Sequence, residues 1–185
     1  SKLLIRNINI NPTRIGIIHI LKKMGASIKI INKKNYKGEK IGDIYVKSSS
    51  NLKAINCPTK YNSSAIDEFL IIFLVAAKSH GISIFKDLAE LNQKESPRLY
   101  WGSKILNYMG IKNRVTKKSI KIYGNPNQVI KKNISIKNFL KDHRIFMMST
   151  IAALTFKSKG SWNINDLDSI KTSFPTFLKT LKKLS

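Results

Sequence analysis

At 185 residues, 42% of them hydrophobic, the chain is long enough for one domain with a full core and too apolar for a disordered one. Its formal charge of +24 invites an anionic partner, yet 29 lysines against five arginines, scattered as pairs such as Lys22-Lys23 and Lys131-Lys132, read mainly as a solvated surface that steers anions by long-range attraction. The single cysteine, Cys57, excludes an intrachain disulfide, and the longest apolar run, Phe69 to Ala77, falls far short of the ~20 residues of a membrane-spanning helix.

Leu3-Leu4-Ile5-Arg6 reads as a strand; no signal peptide is read before it, and the expectation is a cytoplasmic protein, here one domain of a longer polypeptide. Asn11-Pro12 predicts a helix start, with Asn as N-cap and Pro at the first helical position, running to Met24 and stopping at Gly25. Strands are expected at Ile28–Ile31, Asp43–Lys47 and Leu52–Asn56, then a buried helix over Asp67–Ser79 and a strand at Ile82–Phe85. Ser96-Pro97 predicts the next helix start, with Gly110 closing it after Met109. Ile120–Tyr123 reads as a strand, Gly124–Lys132 as a loop and Ile134–Ile136 as a short strand. A helix over Asp142–Phe156, a strand at Trp162–Ile164 and a helix over Pro175–Leu184 complete the reading.

The order repeats. Ser79-His80-Gly81, a strand and Asp87-Leu88 match Ser158-Lys159-Gly160, a strand and Asp166-Leu167, each after a helix opened by Asp67 or Asp142. Met24-Gly25 leading into Ile28–Ile31 reads as a weaker third copy. The expected fold is therefore α/β: about three repeated α/β units with mixed sheets, their helix N-termini brought to one face.

Charge clusters mark those helix starts. Asp67-Glu68, Lys94-Glu95-Ser96-Pro97-Arg98 and Asp142-His143-Arg144 hold four of the chain's ten acids and two of its five arginines. Arg14, Arg98 and Arg144 each fall in an expected first helical turn, where a cation opposes the helix dipole. Two readings stand for any one cluster: local salt bridging, such as Glu95 with Arg98, or a bound anion gripped by Arg and by free helix N–H groups. The recurrence at three helix starts favours the anion site. Asp142 reads as an N-cap. Asp67 and Glu95 are candidate proton-transfer groups, and Lys94 and His143 lie beside them. His19 and His80 read as structural. No metal-ligand spacing and no Gly-rich phosphate loop occurs.

Five pieces in order carry a resemblance: Asn11-Pro12-Thr13-Arg14-x-Gly16, Ala65-Ile66-Asp67-Glu68-Phe69, Glu90-Leu91-x-x-Lys94-Glu95-Ser96-x-Arg98, Asp142-His143-Arg144-Ile145 and Thr172-Ser173-Phe174-Pro175. The whole chain, read as one domain over 1–185, resembles the C-terminal half of the 5-enolpyruvylshikimate-3-phosphate synthase family. The resemblance implies a transferase of the shikimate pathway, in aromatic amino-acid biosynthesis, moving the enolpyruvyl group of phosphoenolpyruvate to the 5-hydroxyl of shikimate 3-phosphate. It implies two domains of three α/β repeats closing on a cleft, so this chain supplies half an active site and the N-terminal domain is its partner. By this likeness Asp67 accepts the 5-hydroxyl proton and Glu95 protonates the phosphoenolpyruvate methylene. Lys94 matches a shikimate-phosphate ligand, Arg98 and Arg144 hold phosphoenolpyruvate, and His143 lies beside that site. No cofactor and no metal is implied.

The sequence departs from the family's pattern at Leu70, Asn92, Gln93, Pro97 and Phe146, and Phe146 is expected to crowd the site. Two other readings compete: a same-fold enolpyruvyl transferase of cell-wall synthesis and a basic nucleic-acid-binding domain. Lys-Glu-Ser-x-Arg and the Ser-Phe-Pro piece disfavour the first. Aromatics that do not interleave with the basic residues disfavour the second, so neither specific nucleic acid nor membrane is an expected partner.

Overall fold

The structure, a computed structural model, describes residues 1–184. Strand β1 (Lys2–Asn9) leads through helix α1 (Gly16–Lys23) to the hairpin of β2 (Ser27–Tyr36) and β3 (Glu39–Lys47). Lys37 and Gly38 form its two-residue turn with φ of 48° and 81°, the twist that matches right-handed strands. The sheet order is β1-β3-β2, antiparallel throughout.

The second unit has helix α2 (Phe69–Ala77), strand β4 (Gly81–Phe85), a 3-10 turn over Ala89–Gln93, helix α3 (Arg98–Tyr108), and strands β5 (Asn113–Val115) and β6 (Ile120–Gly124). Its sheet, β4-β6-β5, repeats the order and the antiparallel sense of the first. The expected strand over Leu52–Asn56 survives only as two parallel bridges, Lys53 to His80 and Asn56 to Ile84, along the outer edge of β4.

The third unit contains β7 (Val129–Ile130), β8 (Ile134–Ile136), helix α4 (His143–Thr155), β9 (Lys157–Ser158), β10 (Trp162–Ile164), a 3-10 turn over Leu167–Ile170 and helix α5 (Phe177–Leu184). β8 pairs with β10 and β7 with β9, both parallel, across the α4 crossover. The chain is thus α/β with mixed sheets.

The repeat is visible in backbone conformation. Asp87 and Asp166 share a left-handed φ of 55° and 57°, which Asp tolerates better than most residues. The third copy, however, lies elsewhere than expected. Met24-Gly25 matches Met109-Gly110, since both glycines end the helix before the second strand of a sheet, with φ of 91° and 77°.

Helix α2 is apolar all round, as the unbroken run from Phe69 requires, and sits centrally between α3 and α4. Phe69, Phe73 and Phe85 pack ring against ring, tilted or edge-on, at centroid distances of 5.3 to 6.0 Å. Burying side chains of this size stabilises by roughly 1.5–3 kcal/mol each. Gly102 lets α3 approach, because a Cβ there would lie 3.0 Å from both Leu70 and Phe73 side chains.

Three expected helix starts shift. Asn11 does not cap a helix: its side chain accepts from the Thr13 N–H at 3.1 Å and closes a turn, and α1 begins later, at Gly16. The reason is steric. Gly16 abuts the Ser63–Ala65 turn so closely that a Cβ would lie 2.6 Å from the Ser64 carbonyl carbon. Asp67 precedes α2 by two residues and does not cap it. Pro97, rather than Ser96, is the N-cap of α3. Asp142 caps α4 as expected, accepting from the Arg144 N–H at 2.9 Å.

Candidate active site

The starts of α2, α3 and α4 meet, and their charged residues form one network. At its floor Asp142 is fully buried, and Arg98, 2% exposed, grips it with Nε at 2.9 Å and Nη2 at 3.3 Å. The Ser96 hydroxyl donates to the same carboxylate at 2.8 Å. Burial alone would raise the Asp142 pKa; the hydrogen bonds from Arg98 and Ser96 and the Arg98 charge outweigh it and hold the group below its ordinary value.

Arg98 then reaches outward. Its Nη1 donates to Asp67 Oδ1 at 3.4 Å, and its Nη2 donates to Glu95. Arg144 approaches Asp67 from the other side, donating to the Asp67 carbonyl oxygen at 2.6 Å and pairing with its Oδ2 at 3.4 Å. Arg144 also stands 3.9 Å from Glu68. Exposure rises from 2% at Arg98 through 27% at Arg144 and 36% at Asp67 to 52% at Glu95, so the network runs from a dry floor to a wet rim. Such a gradient fits groups that are fixed below and reactive above.

His143 opens α4 beside this network. Burial, then the charge of Arg144, lowers its pKa, so the ring is held neutral. Glu68 is half-buried. Desolvation raises its pKa, with Asp67 adding to the rise and Arg144 and Arg14 opposing it.

The structure therefore brings Asp67, Glu95, Arg98, His143 and Arg144 to one face. Lys94 is at the same loop but turned to Glu90, with Nζ 3.0 Å from the carboxylate. Arg98 is more enclosed than the spacing suggested: its guanidinium is shared among three carboxylates. Phe146 does not crowd the site. It is 4% exposed and turned into the core, because position four of α4 faces inward. Asn92 faces the β5–β6 connection, donating to the Lys117 carbonyl at 3.1 Å.

Sequence reasoning missed two parts. Asp142 is more than a cap, and Ser96 is its hydrogen-bond donor rather than a cap. A signal existed: Arg98 and Asp142 are opposite charges at two of the three clustered helix starts. The larger clefts are elsewhere. One of about 540 Å³ lies past the far end of α3, lined by Tyr108, Gln128 and Lys131. Its lining holds no acid–base pair, and a smaller, charged recess lies beside Asp67. That recess is about 100 Å³, between Arg14, Ser63, Ser64, Asp67 and Glu68. Among the described residues no group of three or more His, Cys, Asp or Glu could hold a metal ion, and no helix is long and apolar enough to cross a membrane.

Chemically, the face offers a carboxylate at Asp67 flanked by two guanidinium groups, a second carboxylate at Glu95 and a neutral imidazole. Known proteins share this chain's pattern. The family model described as EPSP synthase (3-phosphoshikimate 1-carboxyvinyltransferase) matches residues 1–181. The 3-phosphoshikimate 1-carboxyvinyltransferase of Thermodesulfovibrio yellowstonii is 38% identical over 184 residues, covering 100% of this chain and 41% of that relative. That of Ruthia magnifica is 40% identical over 177 residues, covering 96% of this chain and 39% of the relative. Among solved structures, EPSP synthase from Acinetobacter baumannii superposes with a TM-score of 0.89 at 35% identity, over 98% of this chain and 41% of that one. The chain thus spans about two fifths of the length of the relatives it matches.

Proposed function

This chain belongs to the EPSP synthase (3-phosphoshikimate 1-carboxyvinyltransferase) family, and from that premise we propose that it is the C-terminal domain of an enzyme that transfers the enolpyruvyl group of phosphoenolpyruvate to the 5-hydroxyl of shikimate 3-phosphate. The observation that carries the reading is the junction of Asp67 with Arg98 and Arg144. It is a proton acceptor held between two cations, at helix starts, where two anionic substrates have to meet.

In this reading Asp67 takes the proton of the 5-hydroxyl, whose oxygen bonds to C2 of phosphoenolpyruvate. Glu95, at the wet rim, gives a proton to the C3 methylene in the same addition. Loss of a proton from C3 and of phosphate from C2 then restores the double bond. Arg144 holds phosphoenolpyruvate through its guanidinium. Arg98 can do so only when Glu95 or Asp67 yields one of its N–H groups, so it also positions those acids. Lys94 would leave Glu90 to contact the shikimate phosphate, and His143 borders the site as a neutral donor or acceptor. The residues need no cofactor for these steps. The other half of the site comes from the N-terminal domain. The same reading takes the enzyme to be cytoplasmic, with neither a membrane nor a specific nucleic acid as partner.

The test is a chimera of the Thermodesulfovibrio yellowstonii enzyme in which this chain replaces its matched segment. Phosphate release from phosphoenolpyruvate that depends on shikimate 3-phosphate is expected. A folded chimera with no release, while the parent enzyme is active, defeats the reading.

A further inference from the structure

The segment between the 3-10 turn Ala89–Gln93 and α3 carries Lys94 and Glu95, yet little of it is tied down. Among the described residues, neither Glu95 nor Ser96 makes a backbone-to-backbone hydrogen bond. Lys94 turns to Glu90, and the exposed Glu95 has Arg98 as its side-chain partner. Segments without backbone bonds belong to the mobile end of a structure unless side chains hold them.

Ser96 is the side chain that holds this one. It is buried between two exposed neighbours, Glu95 and Pro97. Its hydroxyl donates at 2.8 Å to Oδ2 of Asp142, which is itself fully buried. Asp142 cannot follow a moving loop. It accepts from the Arg144 N–H at the start of α4, and Arg98 closes on it with Nε and Nη2. A hydrogen bond to an ionised acceptor is also about twice as strong as a neutral one. On the other side Pro97, with φ of −68°, disfavours a helical Ser96 and so stops α3 from extending back over Glu95.

The ion pair with Arg98 cannot hold Glu95 throughout a turnover. Nη2 of Arg98 is shared between Glu95 and Asp142, and a substrate anion reaching it displaces the exposed carboxylate before the buried one. We propose that Ser96 is a positioning residue for Glu95: its hydroxyl pins the loop to the buried Asp142, so that Glu95 keeps its place on the face while Arg98 turns from it to the substrate. Ser96 touches no substrate. The proposal rests on the functional reading, in which Glu95 delivers the proton to C3, and adds what keeps that group in reach of it.

The experiment has two readouts, one with turnover and one without. In the chimera, Ser96→Ala is expected to lower kcat about 10–100-fold, the loss that a small misplacement of a reacting group brings, with KM for both substrates unchanged. Ser149→Ala removes a hydroxyl of similar burial that donates to the Ile145 carbonyl within α4, and is expected to leave kcat unchanged. In the chain itself, the backbone order parameter of Glu95, read by NMR relaxation, is expected to fall from about 0.85 in the wild type to below about 0.6 in Ser96→Ala, while α3 and α4 stay rigid. If Ser96→Ala does not fold, Ser96→Cys, close in size but a weak donor, is read in its place. A folded variant with wild-type kcat overturns the proposal. So does a KM that moves as far as kcat, an equal loss from Ser149→Ala, or an unchanged order parameter at Glu95. A folded wild-type chimera that releases no phosphate defeats the functional reading and the role of Glu95 with it, and the order parameter then decides whether Ser96 pins the loop.

Discussion

Arg98 closes Nε and Nη2 on the carboxylate of Asp142, 44 positions away, and the two side chains are 2% and 0% exposed. This buried, two-pronged pair joins α3 to α4 beneath the charged face. Removing one partner leaves a charge buried without its mate, which typically costs about 3–5 kcal/mol. Asp142→Ala should therefore destabilise the chain by that amount in urea unfolding. The double variant Arg98→Met/Asp142→Leu should lose much less than the sum of the single changes. Additive losses would mean the pair is not a unit.

Acidification should separate three groups by sign. The folded-state pKa of Asp142 lies below its unfolded value of about 3.9, so its stabilisation is present above that pH and lost as pH falls through the folded value. His143, also lowered, costs stability as pH falls from about 6.5 toward its folded value, because the unfolded chain takes up the proton first. Glu68 acts oppositely: its raised pKa gives a contribution present below its unfolded value of about 4.3 and lost as pH rises through the folded one. Glu68→Gln should thus raise the unfolding midpoint at pH 7, with the gain vanishing near pH 4. Asp142→Asn should flatten the acid limb. A Glu68→Gln variant less stable than wild type at pH 7 would show that its ion pair with Arg144 dominates.

Kinetics of the chimera should divide the arginines from the acid. Glu95→Gln should cut kcat by roughly 10²–10⁴-fold with little change in substrate binding, as loss of a proton donor does. Arg144→Ala should chiefly raise the KM for phosphoenolpyruvate, because it meets a charge already present in the ground state. Arg98→Lys should impair both, since a point charge cannot reproduce the two-pronged hold. Full turnover by Glu95→Gln would remove the acid assignment.

The charge of +24 predicts only non-specific DNA binding by the chain itself. Affinity should fall steeply with salt and be equal for unrelated sequences. Fluorescence anisotropy between 50 and 200 mM salt, roughly the range over which such contacts are lost, checks this. Tight, sequence-selective binding at the upper salt would instead favour a nucleic-acid function.

The helix-start clusters were legible because acids are scarce in this chain, and three clusters of them at spaced starts are hard to assign to chance. The convergence of Asp67, Arg98 and Arg144 followed from the repeat. The capping roles of Asn11 and Ser96 were not legible. Propensity places Asn and Ser at N-caps, but Gly16 has to meet Ser64 first and Ser96 has a buried carboxylate to serve. Lys94 was assigned toward substrate, and helical spacing to Glu90 offered a nearer partner. The strand expected at Leu52–Asn56 is reduced to two bridges because alternation of apolar residues does not reveal how many partner groups an edge will supply.

Helix α2 has no polar side to yield to water, with Phe69, Ile72, Phe73, Ala76 and Ala77 at 0% exposure. It touches α1, α3 and α4, so no unit can come apart without uncovering it. The amides of Ile72 to Ala76 should exchange with solvent only when the whole chain opens, and at a common rate. The three units, of which only the first two share a sheet order, then melt as a single cooperative body. A cut between them would yield pieces that do not hold their shape alone.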